Sequence, residues 1–285
     1  MTVDPQRRLR LTVLGSSTAV PHPASPASGY LVTWGTTSIL LDAGQGVASR
    51  LAREIDPRDL AAVLIGHMHA DHYIDLAALR YLYPWGVPAA RRLSVHLPPG
   101  GRDRMTALAT AISERAGFFD AAFDIAEYDD VTPLEIGALT VRFGRSQHYV
   151  PAWAMAIETP DGRRLVYLGD TGPTEAAVAF ARGADLLLVE AALRSTADDD
   201  TVRGHLMPDE AIEMARQAEA RSALIVHFDP DRTEEIAALC AAAGDWIRPA
   251  SPGMVVSLVE SPGGAAGQRV VAAVTADAAA SRNRA

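Results

Sequence analysis

The sequence has 285 residues, of which 48% are hydrophobic and 21% are charged, enough to bury one large core or two smaller ones. Its formal net charge of −9, from 26 basic and 35 acidic side chains, argues against a long nucleic acid as a partner for the bulk surface. The single cysteine, Cys240, excludes an intrachain disulfide framework and predicts a reducing, cytoplasmic location. The first ten residues lack the apolar stretch of a signal peptide and no segment reaches about 18 apolar residues, so we expect no membrane partner.

The first half of the chain predicts strands separated by loops and short helices. A strand runs into a polar loop at Gly15, and Gly35 marks a hairpin between the next two strands. Helical spacing of apolar residues begins again at Leu76. We predict strands at 9–14, 30–34, 38–41, 63–65 and 93–97, and helices at 46–54, 76–82 and 105–115.

The second half repeats this rhythm without sequence repetition. We predict strands at 122–126, 139–144, 154–158, 165–168, 186–189 and 223–226, and helices at 174–181, 208–219 and 233–242. Antiparallel hairpins followed by strand–helix alternation predict an α/β fold, a four-layer αββα sandwich of two mixed sheets with helices on the outer faces. We expect a single domain over residues 1–262 and a C-terminal extension over 263–285, whose last ten residues fray.

A cluster of histidines follows the apolar run at 60–65. The segment GHMHADHYIDL, residues 66–76, contains His67, His69, Asp71 and His72, and burying such groups without partners is costly. Imidazoles and carboxylates are ligands of zinc, manganese or iron, and the lack of thiolates excludes a cysteine-rich structural zinc site. The alternative is a solvated loop in which Asp71 caps the following helix.

Three more polar residues follow predicted strands in the same way, at the strand ends where α/β sheets gather their sites. They are His148, Asp170 and His227. Singly, each reads as an ordinary core or loop residue, but together they bring the set to seven, too many for one tetrahedral zinc. The set suits two ions if a carboxylate bridges them, and we predict Asp170 because a carboxylate has two oxygens. Two such cations would acidify a water between them, which predicts hydrolysis.

These residues resemble the motifs of a known superfamily. HMHADH matches the HxHxDH signature of the metallo-β-lactamase fold, and His148, Asp170 in LGDTG and His227 in VHF match its remaining ligand motifs in order. Glu190 after a strand and His205 in GHLMPDEA resemble the ribonuclease Z branch. The segments SPASGYL, HADHYIDL, LGDTG and HLMPDEA are similar to those of actinobacterial atypical class II cyclic-nucleotide phosphodiesterases, over residues 9–259.

The resemblance implies a ligand set for each of two divalent ions, zinc or else manganese or iron. One set is His67, His69, His148 and Asp170, and the other is Asp71, His72, His227 and Asp170. It also implies that His205 contacts the scissile phosphate or protonates the leaving oxygen. We expect a catalytic set of Asp71, His205 and Glu190, in which Glu190 fixes the tautomer of His205. A homodimer is expected from the resemblance alone.

The chain departs from ribonuclease Z at two places. Those enzymes carry a protruding arm that grips tRNA, and the roughly twenty residues between Tyr128 and His148 leave no room for one. The serine-arginine-tyrosine segment after the last histidine is replaced by FDPDR, residues 228–232. Both departures argue against tRNA processing.

The leading hypothesis is therefore a di-metal hydrolase that opens a small or cyclic phosphodiester, with a bridging hydroxide as nucleophile and His205 as general acid. The alternatives are a lactone, thioester or other carbonyl hydrolase with the same metal centre, and thirdly a tRNA 3′ endonuclease. Asp42 is expected to accept a hydrogen bond from a metal-bound histidine. Tyr73, Tyr83 and Trp85 either line a pocket for a flat base or pack in the core.

Overall fold

The computed structural model describes residues 8–83, 91–196, 202–260 and 269–274. Trp85 lies outside these ranges. The described residues form strands β1 (Leu9–Gly15), β2 (Gly29–Trp34), β3 (Thr37–Leu41), β4 (Ala62–Leu64), β5 (Leu93–Leu97), β6 (Phe123–Glu127), β7 (Leu134–Ile136), β8 (Leu139–Ser146), β9 (Ala152–Glu158), β10 (Arg164–Tyr167), β11 (Leu186–Glu190), β12 (Ala223–Val226), β13 (Ile247–Pro249), β14 (Val255–Glu260) and β15 (Arg269–Val274). The α-helices are α1 (Val47–Glu54), α2 (Ala70–Tyr73), α3 (Leu76–Leu79), α4 (Gly101–Ile112), α5 (Glu175–Ala181), α6 (Pro208–Gln217) and α7 (Thr233–Ala243).

The strands form two mixed sheets. The first has the order β15-β14-β1-β2-β3-β4-β5-β6, antiparallel from β15 to β3 and parallel from β3 to β6. The second has the order β13-β12-β11-β10-β9-β8-β7, parallel from β13 to β10 and antiparallel from there on. Parallel strands from each sheet therefore end where the predicted site residues begin.

The two sheets pack face to face through their apolar inner faces. Leu11 and Val32 of the first sheet share this core with Met155 and Leu188 of the second. A second apolar cluster joins the second sheet to α5, α6 and α7, and a third joins the first sheet to α1, α3 and α4. Strand β11 is buried over its whole length, which explains its continuous apolar run. The predicted four-layer αββα sandwich is confirmed.

Most predicted elements are present, with boundaries shifted by a few residues. The helix predicted at 105–115 begins earlier, at Gly101, and ends at Ile112. The helical pattern from Leu76 divides into α3 and a 3₁₀ turn over Arg80–Leu82. Strands β7, β13 and β14 were not predicted, because they are short or follow turns without clear alternation.

The predicted C-terminal extension, residues 263–285, contains strand β15, and its last ten residues, which were predicted to fray, lie outside the described residues. This strand pairs antiparallel with β14 at the edge of the first sheet. Its sequence, RVVAAV, mixes β-branched residues with alanine, which is depleted in strands, so the pattern gave no clear signal.

The interval between Tyr128 and His148 is largely taken up by the β7–β8 hairpin. This agrees with the expectation that a long protruding arm has no room there. No helix in the described part of the chain is long and apolar enough to cross a membrane.

Candidate metal centre

The predicted ligands lie at one edge of the sandwich, each just after a strand. The segment from His67 to His72 follows β4 and includes α2, while His148 follows β8. Asp170 comes three residues after β10, and His227 comes directly after β12. A bridge between His67 and Ala152 connects the edges of the two sheets at this place. The fold therefore brings together all seven side chains that the sequence analysis selected.

One group of four converges around His69. Its Nδ1 lies 3.0 Å from Nε2 of His67 and 3.0 Å from Nε2 of His148. The Oδ2 of Asp170 is 3.7 Å from the former nitrogen and 3.9 Å from the latter. Tetrahedral nitrogen ligands about 2.0–2.1 Å from zinc would lie about 3.3 Å from one another, so the spacing suits a single divalent ion.

The second group shares Asp170 with the first. Nε2 of His72 and Nε2 of His227 each lie 3.3 Å from Asp170 Oδ2. Asp71 completes the group, with Oδ2 3.4 Å from the His72 nitrogen and 3.9 Å from the His227 nitrogen. These are again four ligand atoms around one point.

A single oxygen of Asp170 faces both groups. The sequence predicts that Asp170 bridges two ions, and Oδ2 is the oxygen of Asp170 that lies nearest to each of four neighbouring imidazoles. The Oδ1 atom is buried and makes no hydrogen bond with the described groups, and the same is true of His72 Nε2. A buried polar atom without a partner costs about 1–3 kcal/mol. A pair of cations would supply the missing partner of His72, so the residues fit two metal ions.

Burial and neighbouring charges act in opposite directions within the cluster. Burial lowers the pKa of His67 well below its ordinary value, and it also lowers the pKa of His69 and of His148. These imidazoles are therefore neutral, as metal ligands must be. Burial also lowers the pKa of His72, but the Asp170 and Asp42 carboxylates outweigh it and hold that pKa well above its usual range.

Asp170 is ionised for a related reason. Burial raises the pKa of its carboxyl group, but the nearby His227 and His72 outweigh burial and hold the pKa well below its ordinary value. Divalent ions would act on this carboxylate in the same direction as those histidines. The centre thus offers ionised oxygen and imidazole nitrogen together.

Asp42 fixes His72 from behind. Its Oδ2 accepts hydrogen bonds from His72 Nδ1 at 2.7 Å and from the hydroxyl of Tyr167 at 2.7 Å, and its Oδ1 accepts from the amide of Gly66 at 2.8 Å. When the ring is neutral, as a metal ligand must be, its remaining proton is on Nδ1 and goes to this carboxylate, so Nε2 of His72 carries the lone pair that faces the cluster. The predicted contact between Asp42 and a histidine of the cluster is confirmed. Asp42 has a φ of 58°, a conformation that aspartate tolerates better than most residues.

Two other histidines are fixed in the same way, by partners that the sequence did not reveal. His148 Nδ1 donates to the carbonyl of Gly204 at 2.8 Å, which leaves its Nε2 as the ligand atom. The Nδ1 of His227 lies 3.0 Å from the hydroxyl of Ser28. A glycine carbonyl and a loop serine carry no motif, so only the fold identifies them.

His205 lies at the border of the cluster and is held by Glu190. The Glu190 carboxylate is fully buried and accepts from His205 Nδ1 at 2.8 Å. It also accepts from the amides of Thr171, Ala192 and Leu206, at 3.0, 3.0 and 3.3 Å. Four donors occupy this carboxylate, so Glu190 orients His205, and Nε2 is the nitrogen of His205 that can exchange a proton.

A cavity of about 520 Å³ opens over the cluster, within the range of small-molecule sites. His69, Asp71, Asp170, His205 and His227 form its floor. Its walls come from residues 18–20, residues 192–194 and Asp229, which the sequence analysis did not select.

The aromatic residues considered for a base pocket lie elsewhere. Tyr73 and Tyr83 pack in the outer core beneath the first sheet, which agrees with the packing alternative. Cys240 is buried on the opposite side, in the core of the second sheet, and burial raises the pKa of its thiol to about 11.

Comparisons with known proteins agree with this geometry. The beta-lactamase superfamily domain matches residues 37–228. An uncharacterized protein of Mycobacterium leprae is 36% identical over 234 residues, covering 80% of both chains. The probable metallo-hydrolase YhfI of Bacillus subtilis is 29% identical over 77% of this chain and 87% of its own. The crystal structure of YhfI matches this chain with a TM-score of 0.76 at 24% identity. The match covers 88% of this chain and 99% of the YhfI chain. Ribonuclease Z of a Mycobacterium species, strain KMS, is 28% identical over 78% of this chain and 85% of its own.

Proposed function

The chain belongs to the beta-lactamase superfamily, as a metal-dependent hydrolase of the ribonuclease Z-like branch, and we propose that it cleaves a small phosphodiester such as a 3′,5′-cyclic nucleotide. The observation that carries this proposal is the position of Asp170. One oxygen of this carboxylate borders two groups of ligand atoms. A further imidazole, that of His205, lies beside them with its Nδ1 4.0 Å from the same oxygen.

Two divalent ions at this centre would acidify a water into a nucleophile and neutralise the charge that develops on the phosphoryl oxygens. The ligands of the first group are His67, His69, His148 and Asp170, and those of the second are Asp71, His72, His227 and Asp170. The metals are zinc by preference for imidazole and carboxylate, with manganese or iron as the other candidates.

His205 supplies the proton that the departing alkoxide needs. Its Nδ1 is committed to Glu190, so the proton transferred to the leaving oxygen comes from Nε2. The side chain is about one-fifth exposed and borders the cavity, so substrate can reach it. Glu190 stabilises the cationic imidazole before the transfer and keeps the ring in the productive orientation.

Several features favour a small phosphodiester over a long RNA. The cavity has a volume suited to a small molecule, the β7–β8 hairpin occupies the interval in which an arm would be needed, and the net charge is −9. A relative is named ribonuclease Z, and hydrolysis of RNA breaks the same kind of bond. Together these features support phosphodiester chemistry on a smaller substrate.

The test is hydrolysis by purified, metal-loaded protein. We expect turnover of bis(p-nitrophenyl) phosphate and of 3′,5′-cyclic nucleotides, and His205→Ala should lower kcat by about 10²–10⁴-fold, the usual contribution of a general acid. His96→Ala is the control, because His96 contacts Ser94 on β5 and lies outside the cluster. Turnover of lactones or thioesters without any phosphodiester activity would refute the proposal, and so would cleavage restricted to precursor tRNA.

A further inference from the structure

One wall of the cavity over the cluster takes no part in the proposed reaction. We call it the second wall, and Val20, Leu193, Arg194 and Asp229 form it. Val20 and Leu193 give this wall two apolar surfaces, and Arg194 and Asp229 give it a charged end. Val20 is 70% exposed and lines the cavity, so its apolar side chain is accessible to a ligand there. The wall therefore combines apolar flanks with a polar end, as sites for flat polar molecules do.

The charged end is an ion pair between Arg194 and Asp229. Of the described residues that line this cavity, Arg194 is the one lysine or arginine. Its side chain is 62% exposed and that of Asp229 is 26% exposed, so both are accessible from the cavity. The guanidinium has five N–H donors and the carboxylate about four acceptor positions, and the ion pair uses a minority of them.

The turn after His227 holds this pair in place. Asp229 Oδ1 accepts from the amide of Asp231 at 3.0 Å, which fixes the carboxylate at the start of the 3₁₀ turn. Arg232 of the same turn donates to the carbonyl of Leu193 at 2.7 Å and so fixes the segment that carries Arg194. These contacts set both halves of the pair before any ligand arrives.

Donors and an acceptor side by side match the edge of a nucleobase. Adenine presents N7 as an acceptor beside the N6 amino donor, and guanine presents O6 beside the N1 donor. Arg194 would donate to the ring nitrogen or carbonyl, and Asp229 would accept from the neighbouring N–H. A second phosphate fits less well, because it would approach the negative charge of Asp229.

We propose that this wall binds the base of a nucleotide substrate, with Val20 and Leu193 against the faces of the ring and with Arg194 and Asp229 on its polar edge. This inference rests on the proposed phosphodiesterase function and names its substrate class. The scissile phosphate then lies over Asp170 and His205 while the base occupies the second wall.

The experiment compares cyclic nucleotides with a phosphodiester that has no base. Arg194→Ala should raise the KM for 3′,5′-cyclic AMP and cyclic GMP by about tenfold or more, the effect of losing a charge-assisted hydrogen bond, with kcat little changed. Its activity on bis(p-nitrophenyl) phosphate, which has no base, should stay within about twofold. Asp229→Asn should act in the same direction, because asparagine can still accept from the Asp231 amide but lacks the charge.

Arg182→Ala is the matched control, because Arg182 forms an exposed ion pair with Glu219 away from the cavity. This variant loses the same charge, and it should change neither the KM for the cyclic nucleotides nor the activity on bis(p-nitrophenyl) phosphate. An Arg194→Ala variant that affects both substrates equally, or neither, would overturn the inference while leaving the proposed function intact.

If wild-type protein hydrolyses none of these phosphodiesters, the proposed function fails by itself. Equilibrium binding of AMP and GMP to the metal-loaded protein then decides the inference. Binding that weakens about tenfold in Arg194→Ala and not in Arg182→Ala would support the base site, and undetectable binding to wild type would overturn it.

Discussion

Asp42→Asn should weaken metal binding at the second group of ligands, although Asp42 itself is not a ligand. The substitution preserves the size of the side chain, and asparagine tolerates the left-handed backbone conformation of this residue. Any effect must therefore come from the charge and the hydrogen bonds. Three donors point at this carboxylate, from His72, Tyr167 and Gly66.

An amide cannot serve all three donors. With its oxygen toward His72 and Tyr167, its NH₂ group faces the amide N–H of Gly66. With its oxygen toward Gly66, its NH₂ group faces His72 Nδ1, and the ring would adopt the tautomer that protonates Nε2, the ligand atom. Either orientation loses about one charge-assisted hydrogen bond, about 1.5–3 kcal/mol, which corresponds to about 10–100-fold in affinity.

The assay is competition for zinc between the metal-free protein and a coloured chelator, with the stoichiometry checked by metal analysis. We expect one ion to bind with wild-type affinity and the other about 10–100-fold more weakly. Asp75→Asn is the control, because Asp75 is a partly buried carboxylate that accepts from the amide of Ala48 at 2.8 Å and contacts no predicted ligand. Two ions bound with wild-type affinity in Asp42→Asn would refute the reasoning.

The remaining predictions concern metal binding at the same cluster and its effect on stability. Tyr167→Phe removes one of the three donors to Asp42 and should weaken the second ion by less than Asp42→Asn does in the chelator assay; an unchanged affinity would show that the hydroxyl is irrelevant. Gly44→Ala should lower both Tm and metal content, because a Cβ at Gly44 would lie 1.9 Å from the carbonyl oxygen of Asp71; a variant with wild-type Tm and metal content would contradict this. Removal of metal by a chelator should lower Tm, since an ion present at about 100 times its Kd stabilises the fold by about 2.7 kcal/mol; equal Tm values before and after chelation would argue against bound ions.

The sequence predicted the ligand cluster because its members follow the ends of predicted strands within a few residues. Strand β10 and strand β12 are buried over most of their length, so the polar residues that follow them, Asp170 and His227, stand out. Parallel strands end at a common edge, and this topology brings residues separated by many positions to one place. Polar residues at several strand ends therefore indicated the cluster, and the family resemblance implied how its ligands divide between two ions.

The same rule fails for Tyr167 and Ser28. Tyr167 belongs to the buried part of β10, and its ring centroid lies 5.0 Å from that of Tyr30. By its pattern it is therefore a core residue. Its contact with Asp42 crosses from one sheet to the other, and a contact between sheets depends on how they pack. Propensity and periodicity describe one element at a time, so contacts of this kind are hidden from them.

The residues of the second wall could not be predicted from the sequence for a different reason. Arg194 and Asp229 lie in loops, where exposed charged residues are common and carry no periodic signal. Their relation depends on Arg232, which ties the loop after β11 to the turn after β12. In the sequence, FDPDR is visible only as a departure from ribonuclease Z, whereas in the structure this turn positions a wall of the cavity.

The hydrogen bonds of Asp42 also explain why the packing between the two sheets affects the geometry of the metal ligands. Asp42 follows β3 of the first sheet and Tyr167 ends β10 of the second, and the same carboxylate oxygen that accepts from Tyr167 orients His72. A shift of one sheet against the other would therefore move a ligand of the second group, even if no ligand were changed. The ligands after β8, β10 and β12 belong to the second sheet and those after β4 to the first, so the two halves of the centre keep their spacing only while the inner core holds the sheets in register.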